Sequence, residues 1–364
     1  MQVKDVAKVL EQFAPLQLQE SYDNAGLCLG NPEAEVTGIL LSIDVTEEIL
    51  EEAIVKKCNL IISHHPLIFG EIMSITGRNF IERCIIKALQ NNIAVYSAHT
   101  NIDVVYEGVS HKMCEKLSLV NCRILSPSKH ELKKLVTFVP SSHVEKVREA
   151  IFNAGAGNIG NYDCCSFNLT GSGTFRGNVK AKPFVGEKGN LHFEEEIRIE
   201  TIFPKYLQSK IIAALLDAHP YEEVAYDIYP LDNTFDKVGM GMIGEMPEVK
   251  DEKLFLSIVK SVFSANCIRH TKILNKHVKK VALCGGSGSS LLNEAIQQGA
   301  DVFISGDFKY HQFFQADSKI LIIDIGHYES EQFTKEIFYN LLMKNFPNFA
   351  VHFSSVNTNP INYL

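Results

Sequence analysis

The stretch Asn59–Gly70 reads NLIISHHPLIFG. Leu60, Ile61 and Ile62 form a short apolar run rich in β-branched side chains, the pattern of a strand buried on both faces of a parallel sheet. Such a strand has no use for imidazoles, yet it ends in His64, His65 and Pro66. In an open α/β sheet the ligand crevice lies just past the carboxyl ends of the strands, where the two histidines fall. Adjacent side chains on extended backbone diverge, and Pro66 keeps His65 extended, so the pair can reach two neighbouring points. That geometry suits two metal ions. Taken alone, the His-His pair reads equally well as one exposed and one core imidazole, so the flanking segments decide.

Upstream stand GILLSID (38–44), a strand, and VTEEILEEAIVKK (45–57), a helix. Asp44, followed three residues later by Glu47, reads as a capping box at the switch between them. Downstream come the helical FIERCIIKALQNN (80–92) and a second strand, IAVYSAH (93–99). The alternation implies a mostly parallel sheet covered by helices. The second strand also ends in polar groups: His99, Thr100, Asn101 and Asp103. The same grammar returns near the C-terminus in KKVALCGG (279–286), SSLLNEAIQQG (289–299), DVFISG (301–306), KILIIDIG (319–326) and a long helical stretch over 327–344. If a helix starts at His327, then His327 and Glu331 stand one turn apart on one face. The bland reading of that pair is a solvated helix start with acids favoured by the helix dipole. Two α/β halves follow, either sharing one sheet or packing as a pseudo-repeat.

Three strand ends thus deliver His64, His65, Asp103, His327 and Glu331. This mixed N/O set suits Zn, Mn, Fe, Co or Ni and argues against Ca, which wants oxygen alone. The expected cofactor is two divalent ions per chain, with Asp103 able to bridge them, and hydrolysis is the chemistry such a pair supplies. VALCGGSGSS could hold an anion on backbone N–H groups or be no more than a tight strand-to-helix turn. It is neither a dinucleotide fingerprint nor a P-loop. In GDFKYH (306–311), His311 is a candidate for proton transfer, as is His99; simple surface placement is the alternative for His311. Helix N-termini facing the metals predict a small anionic, phosphate-bearing substrate.

Between the halves, segments from KKLVTFVP to EEVAYDIYPL spell β-α-β-β-α-β, the ferredoxin-like split βαβ order. The expected domains are therefore 1–130, an inserted α+β domain at 131–235, and 236–364. The Gly-rich stretches 155–160 and 171–177 read as hairpin turns rather than ligand cradles. With 364 residues, 46% of them apolar, the chain can build more than one core. A net charge of −8 without long runs of one sign argues against nucleic acid as partner. The nine cysteines lack a C-x-x-C pair and read as small hydrophobes of a reducing compartment. Adjacent Cys164 and Cys165, read as strand residues, would point to opposite faces and make a poor metal pair. No signal peptide or membrane span is legible, so a cytoplasmic location is expected.

SHHP, HTNID, GDFKYH and GHYESE in this order, with YDNAGLCLG near the start, resemble the NIF-three-like family, often labelled GTP cyclohydrolase 1 type 2 homologues. The resemblance covers both α/β halves and implies a dinuclear metal site on the same five residues. It also implies a toroidal homohexamer, a trimer of dimers with metals facing an interior cavity, and an insert resembling PII and CutA proteins that ends in HPYEEVAYDIYPL (219–231). Tyr22 stands where many members carry Trp. Two functions follow as expectations: a metal-dependent hydrolase of a small nucleotide-like or phosphorylated compound, or a metal-binding regulatory scaffold whose insert reads a ligand or protein.

Overall fold

The computed structural model describes residues 1–364. The chain forms two compact units, one from Met1–Pro127 with Asp236–Leu364, the other from Ser128–Phe235.

The first unit is mixed α/β with two sheets. One runs in the order Gly26–Leu29, Ala94–Ser97, Leu60–Ser63, Ile39–Ser42, Val351–Phe353. Its inner strands are parallel and in register, Ser42 beside Ser63 and Ser63 beside Ser97. Every residue of Leu60–Ser63 is buried, which explains the unbroken apolar run. Because the carboxyl ends lie level, the residues that follow them (Asp44, His64, His65 and His99) are carried to one edge. The helix Phe80–Gln90 buries Cys84, Ile85 and Ala88 on one face, and the Asn79 side chain caps its start by accepting from the Glu82 N–H.

The second sheet runs Arg269–His270, Leu321–Asp324, Val302–Ser305, His277–Leu283, Phe235–Asp251, Val120–Ser128. Its parallel strands are also level, with Ser305 beside Asp324. The two halves therefore do not share one sheet. They exchange strands: Val351–Phe353, from the end of the chain, pairs with Ile39–Ser42, while Val120–Ser128 neighbours Phe235–Asp251.

Three local readings change. The helix after Ile39–Ser42 begins at Glu47 with Thr46 as its cap, so Asp44 is free for another role. The expected helix over 327–344 is two, His327–Glu331 and Thr334–Asn345. The Thr334 hydroxyl donates to the Glu331 carbonyl at 2.7 Å, satisfying an acceptor that the break leaves free. Cys164 and Cys165 lie in a loop ahead of the strand Phe167–Phe175, Cys164 with φ 54° and exposed. Of the nine free cysteines only Cys58, Cys84, Cys114 and Cys284 are buried, so the reading of all of them as small hydrophobes was too broad.

The second unit is a four-stranded antiparallel sheet in the order Phe167–Phe175, His192–Pro204, Leu132–Pro140, Tyr226–Pro230. Helices Val144–Asn153 and Gln208–Ala218 bury Val147, Ile151, Ile211 and Leu215 against Leu135, Val139, Ile199 and Phe203 on one face. The Gly-rich 171–175 is the strand itself and not a turn. Stretch 155–160 does turn, with positive φ at Gly155, Gly157 and Gly160. No helix is long and apolar enough to cross a membrane.

Candidate metal centre

In the first unit, the carboxyl edges of both sheets bring His64, His65, Asp103, His327 and Glu331 to one place. Glu331 Oε2 lies 3.0 Å from His65 Nε2, 3.0 Å from His327 Nε2 and 3.6 Å from His64 Nε2. Asp103 Oδ1 stands 3.8 Å from His64 Nε2. His65 Nε2 and His327 Nε2 approach to 3.2 Å. His64, His65 and Glu331 each offer one ligand atom within 4.8 Å of the others, a grouping that could hold a metal ion.

Each imidazole is built the same way. Nδ1 of His64 meets the Ala98 carbonyl at 2.9 Å, and since a carbonyl only accepts, Nδ1 carries the proton. His65 Nδ1 meets Asp44 Oδ1 at 2.7 Å, and His327 Nδ1 meets Asp307 Oδ2 at 2.7 Å. With a proton fixed on Nδ1, every Nε2 is turned to the centre, where a metal would displace any proton held there, the orientation that metal-binding histidines take from their outer partners. Asp44 is itself held by the Thr358 hydroxyl at 2.5 Å, so the end of the chain braces His65. His99 repeats the construction through Asp23, at 2.8 Å, and its ring lies 5.5 Å from that of His64 and 5.4 Å from that of His65. Asp23 also accepts from the Thr100 N–H at 3.0 Å, which starts the short helix carrying Asp103.

The charges fit a cation. Burial works against charge on His65, but Asp44 and Glu331 outweigh it and push the imidazole up to about 9. Asp307 and Glu331 likewise overcome burial at His327 and push it up to about 11. Burial opposes ionisation of Glu331 too, yet His64, His327 and His65 hold its carboxyl well below the usual range. Asp103 moves the other way: burial raises its carboxyl, with His64 pulling down and Glu331 pushing up. Most telling, His64 Nε2, Asp103 Oδ1 and Glu331 Oε2 are all buried without a hydrogen-bond partner. Three orphaned polar atoms converging on one point are costly unless something positive sits among them. An N/O donor set of this kind fits a divalent transition metal.

The glycine-rich turn is part of this packing and not an anion cradle. Gly285 N–H reaches Ser110 Oγ, Gly286 N–H reaches Ser330 Oγ and Gly288 N–H reaches Ser305 Oγ, all within the protein. Gly286, with φ 59°, lies where any Cβ would strike Glu331 Oε1. His311 stays apart from the cluster, exposed on the 3-10 helix Tyr310–Ala316 against Tyr310 and Phe314. Sequence reasoning missed the orienting roles of Asp23, Asp44 and Asp307. Beside the cluster opens a cavity of about 550 Å³ whose lining includes Asp44, His65, Arg269, Asp307, His327 and Tyr328.

The orientation model predicts that Asp44→Ala lowers divalent-metal affinity by roughly 10–100-fold while leaving the ligands in place. Calorimetric titration with Zn²⁺ or Mn²⁺ checks this, and unchanged affinity would remove Asp44 from the account.

Residues 1–360 match the family model described as Duf34/NIF3 (NGG1p interacting factor 3). The chain is 39% identical to a "GTP cyclohydrolase 1 type 2 homolog" of Bacillus subtilis over 367 residues, covering 99% of this chain and 98% of the relative. A solved structure of a Bacillus cereus protein related to NIF3 superposes with a TM-score of 0.86 at 38% identity, covering 100% of this chain and 99% of that one. A Staphylococcus aureus structure follows at TM-score 0.79 and 30% identity, covering 100% and 99%.

Proposed function

The chain belongs to the Duf34/NIF3 family, and on that premise we propose that it is a metal-dependent hydrolase of a small, phosphate-bearing, nucleotide-like compound. His64, His65, Asp103, His327 and Glu331 would hold two divalent ions, of Zn, Mn, Fe, Co or Ni. One observation carries this reading: the buried, unpartnered atoms of His64, Asp103 and Glu331 converge with the Nε2 atoms of His65 and His327.

When bound, divalent cations polarise a substrate oxygen and make water acidic enough to attack near neutral pH. The protein's own part is orientation. Asp44, Asp307 and the Ala98 carbonyl fix three Nδ1 protons, which keeps each Nε2 free as a donor. His99, fixed by Asp23 and beside both His64 and His65, is placed to move a proton to or from the leaving group. His311, exposed and away from the cluster, is a weaker candidate for that step. The neighbouring cavity is of a size for a small molecule. Apart from the imidazoles that would take the metals, its charged side chains are Asp44, Asp307, Asp324 and Glu329 against Arg269, itself paired with Asp324, so an anionic substrate would be drawn by the metals.

The proposal extends to a cytoplasmic homohexamer, a toroid built as a trimer of dimers, and to reading the unit at 128–235 as a ferredoxin-like insert resembling PII and CutA proteins. Its strand order, second-third-first-fourth in its own count, supports that reading. The competing reading, a regulatory scaffold that binds metal without turnover, is favoured by a large cavity in this same unit. Protein loaded with Mn²⁺, Zn²⁺ or Co²⁺ and offered nucleoside monophosphates, GTP and simple phosphoesters is expected to release phosphate or, from GTP, formate. Turnover should vanish with EDTA and in His65→Ala. Metal binding without turnover of any of these compounds would favour the scaffold.

A further inference from the structure

A cavity of about 680 Å³ lies within the second unit and is unused by the hydrolytic reading. It sits on the sheet face opposite the two helices. Register places Arg198 between Phe138 and Leu169, and Gly171 beside Glu196, while the helix-facing positions alternate with these. Phe175, Phe184 and Tyr221 supply aromatic walls, with the Tyr221 ring 6.1 Å from Phe175 and 6.3 Å from Phe184.

Two polar side chains of the strand His192–Pro204, Glu196 and Arg198, line this cavity. Glu196 is only 9% exposed, yet no Lys, Arg or His lies within ion-pair distance of it. The Tyr221 hydroxyl donates to its Oε1 at 2.9 Å. Its Oε2 rests over Gly173, where any Cβ would collide with it, so the glycine-rich strand makes the bed for this carboxylate. On the same strand face, two residues on, Arg198 pairs through Nη2 with Glu200 Oε1 at 2.8 Å, but its Nε is buried without a partner. A nearly buried carboxylate with no cation beside it and a buried donor with no partner, walled by aromatic rings, offer a ligand one acceptor and one donor.

We propose that this cavity binds a small amino-substituted heteroaromatic molecule of the nucleobase type. The ring packs among Phe175, Phe184 and Tyr221, its exocyclic amine donates to Glu196, and an adjacent ring acceptor takes the Arg198 Nε–H. Flat rings gain from aromatic walls, and the acceptor-donor pair selects against rings lacking the amine, because such a ring would leave Glu196 unsatisfied. This site is independent of the metal cluster.

The test uses the full chain with 9-methyladenine, 9-methylguanine and 1-methylcytosine as probes, and unsubstituted purine as the control without an amine. Saturation-transfer NMR and calorimetry are expected to find at least one amino base bound with Kd below about 1 mM and purine bound at least about tenfold more weakly. Glu196→Gln keeps the side-chain volume and the Tyr221 bond but offers an amide, and is expected to weaken the amino base at least about tenfold. Gly173→Ala should weaken it similarly, and EDTA should leave binding unchanged. Absence of binding by all three bases, equal binding of purine, full binding by a folded Glu196→Gln protein, or loss of binding in EDTA would each overturn the assignment.

Discussion

Glu331→Ala is expected to abolish divalent-metal binding at the cluster, with an affinity loss beyond about 100-fold, because Oε2 is the one atom within 3.6 Å of all three imidazole Nε2 atoms. The metal-free protein should suffer as well. Glu331 is a buried carboxylate facing His64, His65 and His327, and removing one partner of such a group leaves the others uncompensated, at a cost of about 3–5 kcal/mol. That corresponds to a fall in Tm of roughly 6–20 °C for a unit of this size. Part of the loss is recovered because the imidazoles can shed protons. The pH dependence has a definite sign. The Glu331 carboxyl is held well below its ordinary value, so its contribution is complete above the ordinary carboxylate range and is lost as pH falls through the depressed folded pKa. His65 and His327 are raised, so their share is complete below the ordinary imidazole pKa and is lost as pH rises through about 9 and about 11. The gap in Tm between wild type and variant, measured in EDTA, should therefore be widest between about pH 5 and pH 6.5, narrowing in acid and again as pH rises towards about 9. A constant gap from pH 3 to pH 8 would contradict the electrostatic account.

Asp103→Ala should behave differently. Asp103 Oδ1 is buried without a partner, and burial raises its carboxyl, so ionised Asp103 is a burden on the metal-free fold near neutral pH. The variant is expected to keep a Tm in EDTA equal to or above that of wild type. It should nonetheless lose one of two ions, since Asp103 and Glu331 are the two carboxylates beside His64 Nε2 and only Glu331 would remain. Elemental analysis by mass spectrometry after loading and desalting checks this. A variant still carrying two ions per chain would remove Asp103 from the ligand set.

The sequence reveals the parallel strands because burial on both faces leaves an unmistakable mark: LIIS, VFIS and LIID contain little besides Leu, Ile, Val and Phe until the carboxyl end. It reveals the candidate ligands for the same reason, since a histidine following such a run has no place in the core. What it conceals is non-local. Asp44 looks like a helix cap, because an acid three residues ahead of a Glu carries that signature, and only the fold brings it against His65. Asp23 and Asp307 are isolated acids in loops, and nothing in their neighbours announces an imidazole partner. The strand exchange that separates the halves into two sheets depends on Val351–Phe353 returning across the whole chain to Ile39–Ser42, a pairing that periodicity does not encode. Residues 171–175 form a strand despite two glycines because they pair in register with His192–Glu196, and at Gly173 the missing side chain leaves the room that Glu196 occupies. The motif GDFKYH points to His311, whereas Asp307 of the same motif is the residue that reaches the cluster.

Anomalous diffraction from crystals soaked in Mn²⁺ or Zn²⁺, collected at the metal edge, bears on the centre most directly. The account predicts two peaks roughly 3.5–4 Å apart, enclosed by the Nε2 atoms of His64, His65 and His327 and the carboxylates of Asp103 and Glu331. No peak there, or metal bound only at other residues, would contradict it.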